Sequence, residues 1–154
     1  MPTWIVNSLL VMSAFISMEV VAWLAHKYIM HGLLWRLHKD HHQPAAGQMI
    51  EHNDSFFIIF ATPAIICFYL GFDDFSFPFW IAIGITLYGI AYFFIHDIFI
   101  HQRIKLLRNA NSLYFKAIRR AHKMHHKHLE KENGECFGML WAPLKYFKDA
   151  KKNA

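Results

Sequence analysis

Residues 77–103 read FPFWIAIGITLYGIAYFFIHDIFIHQR, and this stretch decides the fold. Its first part, from about Phe77 to Ile95, contains no charged residue. It is long enough for a helix that crosses a bilayer, which takes about 17 to 25 residues. His96 and His101 follow at once, and then the chain becomes basic. We therefore expect a transmembrane helix that ends in a histidine-bearing segment at the membrane surface.

Two other stretches have the same apolar character. One runs from about residue 4 to 25 and is interrupted only by Glu19; the other runs from about 56 to 72 and contains Pro63. Proline is tolerated in a membrane helix where neighbouring groups satisfy the carbonyl that it frees. Together with the span at 77–95, they predict an all-α integral membrane protein with three transmembrane helices. A fourth span stays open in principle, but no remaining segment is apolar enough to name.

The composition supports a single membrane-embedded domain over residues 1–154. The chain is 55% hydrophobic and 17% aromatic, which is too apolar for an ordinary soluble domain of this length. Its net charge of +5 would permit nucleic-acid binding. Most basic residues follow the apolar stretches, however, so a lipid surface explains them better, and we expect no nucleic-acid partner.

The two cysteines form no disulfide framework and no C-x-x-C motif. The first eight residues contain no Lys or Arg, so we expect no cleaved signal peptide.

The distribution of Lys and Arg predicts the orientation in the membrane. Basic residues follow the first and third spans, whereas the short 73–76 turn has none. By the positive-inside rule, the 26–55 loop and the C-terminal third should then face the cytosol. We therefore expect a multi-pass protein with its histidines on the cytosolic face. A further span in the middle of the chain would separate them.

Histidines are the most informative residues of this chain. Ten of the twelve fall in four motifs that form two matched pairs. The motifs are His26-x4-His31, His38-x2-His41-His42, His96-x4-His101 and His122-x2-His125-His126. Imidazole is the commonest protein metal ligand, and ten imidazoles are too many for one ion but suit two. We predict a di-metal site that is assembled from both halves of the chain and bound by all ten residues.

On an α-helix the spacing of the two triplets fits a shared metal site, whereas the spacing of the two H-x4-H pairs does not. A helix turns about 100° per residue, so each triplet forms a fan on one helical face. A C-terminal amphipathic helix over about 112–128 would place its histidines opposite a basic face. Residues five apart, such as His26 and His31, lie about 140° apart on an α-helix, so these pairs need a helix end, a bulge or a helix that flanks the metals from the side. Gly32 offers such an end, but no equivalent stands beside His101.

Several polar residues lie near the motifs. Asp40 and Asp97 are adjacent to predicted ligands, and we expect them to orient imidazole N–H groups. Glu19 lies inside a span, seven residues before His26 and on nearly the same helical face. A carboxylate there is costly and suggests a functional role. It could support the site or line a polar path, or else pair with another span. We expect His52 and His128 to lie outside the site.

Four segments carry a resemblance to a known family. They read MEVVAWLAHKYIMHG (18–32), LWRLHKDHH (34–42), HDIFIHQR (96–103) and RAHKMHH (120–126). Their histidine pattern resembles the fatty acid hydroxylase superfamily, and the flanking residues resemble its bacterial non-haem β-carotene hydroxylases. The resemblance covers about residues 18–142.

The resemblance implies an O2-dependent monooxygenase with two iron ions bound by the ten histidines. It would hydroxylate the β-ionone rings of β-carotene at C3, giving β-cryptoxanthin and zeaxanthin. The implied partners are membrane lipid, the carotenoid and an electron donor such as ferredoxin, and the implied location is the bacterial inner membrane. Imidazole ligands also suit zinc, copper or nickel. Whether a purified sample would contain zinc in place of iron stays open. A carotenoid ketolase, a sterol or fatty acid hydroxylase or a desaturase needs a similar shell. A metal-binding or transport protein would instead carry histidines along its spans.

Overall fold

The computed structural model describes residues 2–45, 47–48 and 50–152. Within these ranges the chain is helical and contains no strand, which confirms the predicted all-α class. Two π-helical segments continue α1 and α4 without a break, and a short 3-10 turn, His52–Asp54, precedes α3. The elements are α1 (Thr3–Leu24), π1 (Ala25–Leu33), α2 (Trp35–His42), α3 (Ser55–Gly71), α4 (Phe77–Phe93), π2 (Phe94–Ile100), α5 (Leu113–His126) and α6 (Leu144–Lys152).

Three helices are long and apolar enough to cross a membrane, as the sequence predicts. They are Thr3–Leu33, His52–Gly71 and Phe77–Ile100. Only 6% to 17% of their most apolar stretches is buried within the chain, although these stretches are strongly hydrophobic. Such large exposed apolar faces are unfavourable in water and are satisfied by lipid.

Close packing fixes the arrangement of the spans. Helix α4 packs against both α1 and α3 and therefore lies between them. At Gly84 a side chain has no room, because a Cβ atom there would lie 2.5 Å from the carbonyl oxygen of Val11. The glycine lets the α1 and α4 backbones approach closely, as small residues do in membrane helix pairs. Their C-terminal extensions are π1 and π2, which carry the two H-x4-H motifs.

Helices α5 and α6 cover this end of the bundle. They share a small apolar cluster that includes Ile118, Ala142 and Tyr146. Ser112 caps α5 by accepting a hydrogen bond from the backbone N–H of Phe115. Along α5 the histidines are on the inner face, while Arg120, Lys123 and Lys127 are exposed, as its amphipathic pattern predicts.

Candidate metal centre

The two H-x4-H motifs lie in the two π-helices. Backbone hydrogen bonds there join residues five apart, from Leu34 N–H to Ile29 O (2.7 Å) and from His101 N–H to His96 O (2.8 Å). In a π-helix residues i and i+5 therefore stack on one face, as i and i+4 do in an α-helix. The ring centroids of His26 and His31 are 5.2 Å apart, and those of His96 and His101 are 4.4 Å apart.

The helix end expected at Gly32 is present, since its φ of −117° and ψ of −107° leave the helical region. Gly32 lies in the last turn of π1, Ala25–Leu33, so the break comes after the π-helical turn has formed and does not replace it. What unites each pair of histidines is the wider turn of the π-helix, which corresponds to the bulge that the spacing of the motifs allows. The π-helical turn therefore places both histidines of each H-x4-H motif on one face, which an α-helix would not do.

Nine of the ten predicted ligands form two compact groups. In each group one ring nitrogen per residue lies within 4.8 Å of all the others. The first group consists of His26, His31, His38, His42 and His125. The second group consists of His41, His96, His101 and His122. Each half of the chain supplies most of one group and a single histidine, His125 or His41, to the other.

His126 completes this pattern. It corresponds to His42 in the other triplet, and the two rings stack at 4.4 Å. Its ring centroid lies 4.7 Å from that of His41 and 4.5 Å from that of His122, both in the second group. Within the part of the chain that the structure describes, its Nε2 atom is buried and has no hydrogen-bond partner, and the same is true of Nδ1 of His122.

The outer nitrogens of the first group bind neutral oxygens. Four of its histidines donate from Nδ1 to main-chain carbonyls: His42 to His128 (2.9 Å), His31 to Lys131 (3.1 Å), His125 to Glu135 (2.8 Å) and His26 to Phe137 (3.0 Å). His38 donates to the side-chain oxygen of Asn53 (2.6 Å). A carbonyl cannot donate, so the hydrogen is on Nδ1 and each Nε2 presents a lone pair.

In the second group two of the outer nitrogens, those of His41 and His96, meet carboxylates. His41 donates to Glu51 (2.7 Å) and His96 to Asp97 (3.3 Å). The guanidinium of Arg103 lies 2.8 Å from Glu51 and 3.2 Å from Asp97, so it ties the two carboxylates together. Burial raises the pKa of Glu51, and Arg103 opposes that rise. The second group therefore lies in a more charged environment than the first.

These contacts confirm one predicted carboxylate and correct the other. Asp97 contacts His96 as expected. Asp40 instead accepts from the His52 ring (2.9 Å) and from the backbone N–H of Asn53 (3.4 Å), so it acts on the loop that carries Asn53. Sequence reasoning missed Glu51 and Asn53 as partners, although the polar run before the second span was a usable signal. No sequence signal marks the four carbonyls.

The inner nitrogens are arranged as ligands of a cation. Nε2 of His31 lies 3.1 Å from Nε2 of His42 and 3.2 Å from Nε2 of His125, and none of the three carries a hydrogen. Three lone pairs at such distances repel one another unless a positive ion lies among them. Two imidazoles at right angles on one metal, with bonds of about 2.1 Å, would place their nitrogens about 3.0 Å apart. The second group shows the same spacing, with 3.0 Å between Nε2 of His41 and Nε2 of His96.

Burial also keeps these imidazoles neutral. It lowers the pKa of His38 and of His101 to about 2, that of His125 to about 3 and that of His42 to about 4. At neutral pH these rings are therefore unprotonated and can donate a lone pair. The residues present thus fit a pair of metal ions in donor type, spacing and charge.

The side chains of His52, His128 and Glu19 lie outside the two histidine groups. The His52 side chain is 75% exposed and bonds Asp40. His128 contributes its carbonyl rather than its ring. Glu19 pairs with another span, because it accepts a hydrogen bond from Tyr88 of α4 (2.7 Å), and it also binds backbone N–H groups of residues 139–141. Of the roles considered for Glu19, the structure therefore shows pairing with another span.

Comparison with known proteins decides the family. The family model described as fatty acid hydroxylase matches residues 11–144. The chain belongs to the fatty acid hydroxylase family. A protein of this group from Pantoea ananas, named beta-carotene hydroxylase, is 44% identical over 140 residues, which are 91% of this chain and 79% of that protein. A beta-carotene hydroxylase from Paracoccus sp. (strain PC1) is 36% identical, over 88% of this chain and 83% of that protein.

Plant relatives share the same region within longer proteins. The Arabidopsis thaliana protein named beta-carotene 3-hydroxylase 2, chloroplastic, is 37% identical over 84% of this chain, which is 43% of that protein. No solved structure matches the chain. The family and the two histidine groups together identify a metal-using hydroxylating enzyme of the membrane.

Proposed function

We propose that this fatty acid hydroxylase family member hydroxylates the β-ionone rings of β-carotene at C3, giving β-cryptoxanthin and then zeaxanthin. It would use O2 and two iron ions, one in each histidine group. The relatives named for β-carotene hydroxylation support the substrate, and the plant names include position 3. A ring ketolase, a desaturase or a hydroxylase of sterols or fatty acids remains the alternative within this chemistry.

One structural observation carries the metal part of the proposal. Two adjacent groups of imidazoles direct Nε2 atoms at one another, 3.0 to 3.2 Å apart. The first group would hold one ion, and the second group together with His126 would hold the other. When bound, the iron pair would supply the oxidising power that an unactivated ring C–H bond requires. The protein's own part is to fix the tautomer and direction of seven imidazoles through the partners of Nδ1.

An apolar substrate dissolved in the bilayer needs an opening toward the lipid. A cavity of about 270 Å³ lies beside the first span and is lined by Glu19, Val20, Trp23, Gly138, Trp141 and Pro143. Gly138 directly follows Phe137, whose carbonyl binds His26. The cavity thus lies next to the residues that surround the first group. We propose it as an approach for the ionone ring.

The charge pattern supports a location in the membrane and a class of electron donor. Basic residues flank the histidine-bearing end of the spans, which favours the cytosolic face of a bacterial inner membrane. The exposed cations of α5 suit an acidic electron donor such as a ferredoxin. Because all four motifs lie at one end of the spans, the arrangement does not favour a metal transport path.

The test is the pigment profile of a β-carotene-producing host that expresses the chain. We expect zeaxanthin with β-cryptoxanthin as the intermediate. His41→Ala and His125→Ala, which remove the one residue that each group takes from the other half of the chain, should abolish the product. His52→Ala, outside both groups, should retain it.

Other products would contradict the proposal in different ways. Canthaxanthin would indicate a ketolase. An unchanged carotenoid profile, with the protein present in the membrane and loaded with iron, would exclude β-carotene as the substrate. Full activity of the His41→Ala and His125→Ala variants would contradict the shared metal centre.

A further inference from the structure

The segment between α5 and α6 surrounds the first histidine group. We call residues 127–143 the connector. Its main-chain carbonyls at residues 128, 131, 135 and 137 accept the Nδ1–H of four of the five histidines in that group. At Cys136 the backbone adopts a φ of 61°, which is uncommon for a residue with a side chain. Such a conformation persists only where surrounding contacts hold it.

Glu19 supplies contacts of this kind from inside the first span. Its Oε1 atom accepts hydrogen bonds from the backbone N–H groups of Met139 (2.9 Å), Leu140 (3.0 Å) and Trp141 (3.0 Å). Its Oε2 atom accepts from the hydroxyl of Tyr88 (2.7 Å). One carboxylate thus joins the connector to α1 and α4.

The depth of Glu19 explains why a carboxylate is needed. It precedes His26 by seven residues, or about 10 Å along a helix, so the connector reaches toward the apolar part of the bundle. Backbone N–H groups in such a place need an acceptor from the protein, since lipid offers none. Gly138 permits the close approach, because a Cβ atom there would lie 3.0 Å from Glu19 Oε1 and 2.9 Å from Trp141 O.

We infer that Glu19 is a positioning residue for the first histidine group: it anchors the connector, whose carbonyls set the direction of His26 and His125. The second group does not depend on it, because His41 and His96 are oriented by Glu51 and Asp97. The inference rests on the proposed metal centre, and it predicts that loss of Glu19 affects one ion and spares the other.

Two backgrounds isolate the groups for measurement. His101→Ala leaves only the first group intact, and His31→Ala leaves only the second. The probe is Co²⁺, titrated into metal-free protein in detergent or nanodiscs and followed by its visible absorption and by metal analysis. Glu19→Ala in the His101→Ala background should weaken Co²⁺ binding about 10- to 100-fold, the usual effect of losing a partner behind a ligand. In the His31→Ala background the same change should have no effect.

A conservative variant and a control variant distinguish the role of Glu19 in holding the connector from a role of its negative charge. Glu19→Gln retains an oxygen for the three backbone N–H groups and a polar partner for Tyr88, so it should restore the affinity of the first group. A role for Glu19 as a proton carrier would instead leave Co²⁺ binding intact in both variants. Ile16→Ala, on the exposed side of the same helix, is the matched control and should bind Co²⁺ like wild type.

Gly138→Ala keeps the carboxylate but pushes the connector away from it, and we expect the same selective loss from the first group. This variant keeps the inference testable if Glu19→Ala does not fold. Unchanged affinity of the first group in both variants, or an equal loss from both groups, would overturn the role of Glu19. Wild-type protein that binds no Co²⁺ would instead contradict the metal centre itself.

Discussion

Each oriented histidine at this centre has one nitrogen bound to a protein oxygen and the other directed inward. The charge of that oxygen differs between the groups. Carbonyls serve the first group, whereas Glu51 and Asp97 serve the second and share Arg103. A carboxylate raises the basicity of the imidazole that it binds. The two metal positions are therefore chemically unequal although their ligands are all histidines.

This difference predicts a selective effect of Glu51. Glu51→Ala removes the acceptor of His41 Nδ1–H and leaves Arg103 with one carboxylate fewer. We expect the metal affinity of the second group to fall about 10- to 100-fold while the first group is unchanged. Co²⁺ titration of the single-group variants measures both affinities. The neighbouring His52→Ala is the control, and an equal loss in that variant would show that the loop, rather than the Glu51 carboxylate, sets the affinity.

At the scale of elements, the π-helices determine whether the site can form. On an α-helix the two residues of each H-x4-H motif would face different directions. The i→i+5 hydrogen bonds of π1 and π2 bring them together. Hydropathy predicts the spans and helical phase predicts the fans of the triplets. The π-helices were not predictable in this way, because they follow from tertiary demands rather than from local propensity.

Helices α1 and α4, which π1 and π2 extend, pack closely against each other. Gly84→Ala would place a methyl group 2.5 Å from the Val11 carbonyl and force the helices apart. We expect a loss of about 1 to 3 kcal/mol in the free energy of unfolding. Unfolding of the protein in detergent, followed by circular dichroism, measures this loss. Gly89→Ala in the same helix has no atom within 4 Å of the added Cβ and should be neutral. Equal stability of both variants would mean that Gly84 does not set the helix contact.

At the scale of the whole molecule, each half of the chain contributes one histidine to the group that the other half mainly forms. The repeated motifs predict a site built from both halves, and the structure brings all ten histidines to one end of the spans. Which residues share a group was not predictable, because it depends on how α2 and α5 approach each other. The connector was also unpredictable, since main-chain carbonyls leave no trace in the sequence. Glu19 stood out only as a costly carboxylate within a span.

The central claim is that the two groups bind one iron each. The most direct measurement is the iron content per chain of protein reconstituted without oxygen, compared with His125→Ala and His41→Ala. We expect two irons in the wild type and one in either variant, with the first group affected by His125→Ala and the second by His41→Ala. A single iron in the wild type, or two in both variants, would contradict it.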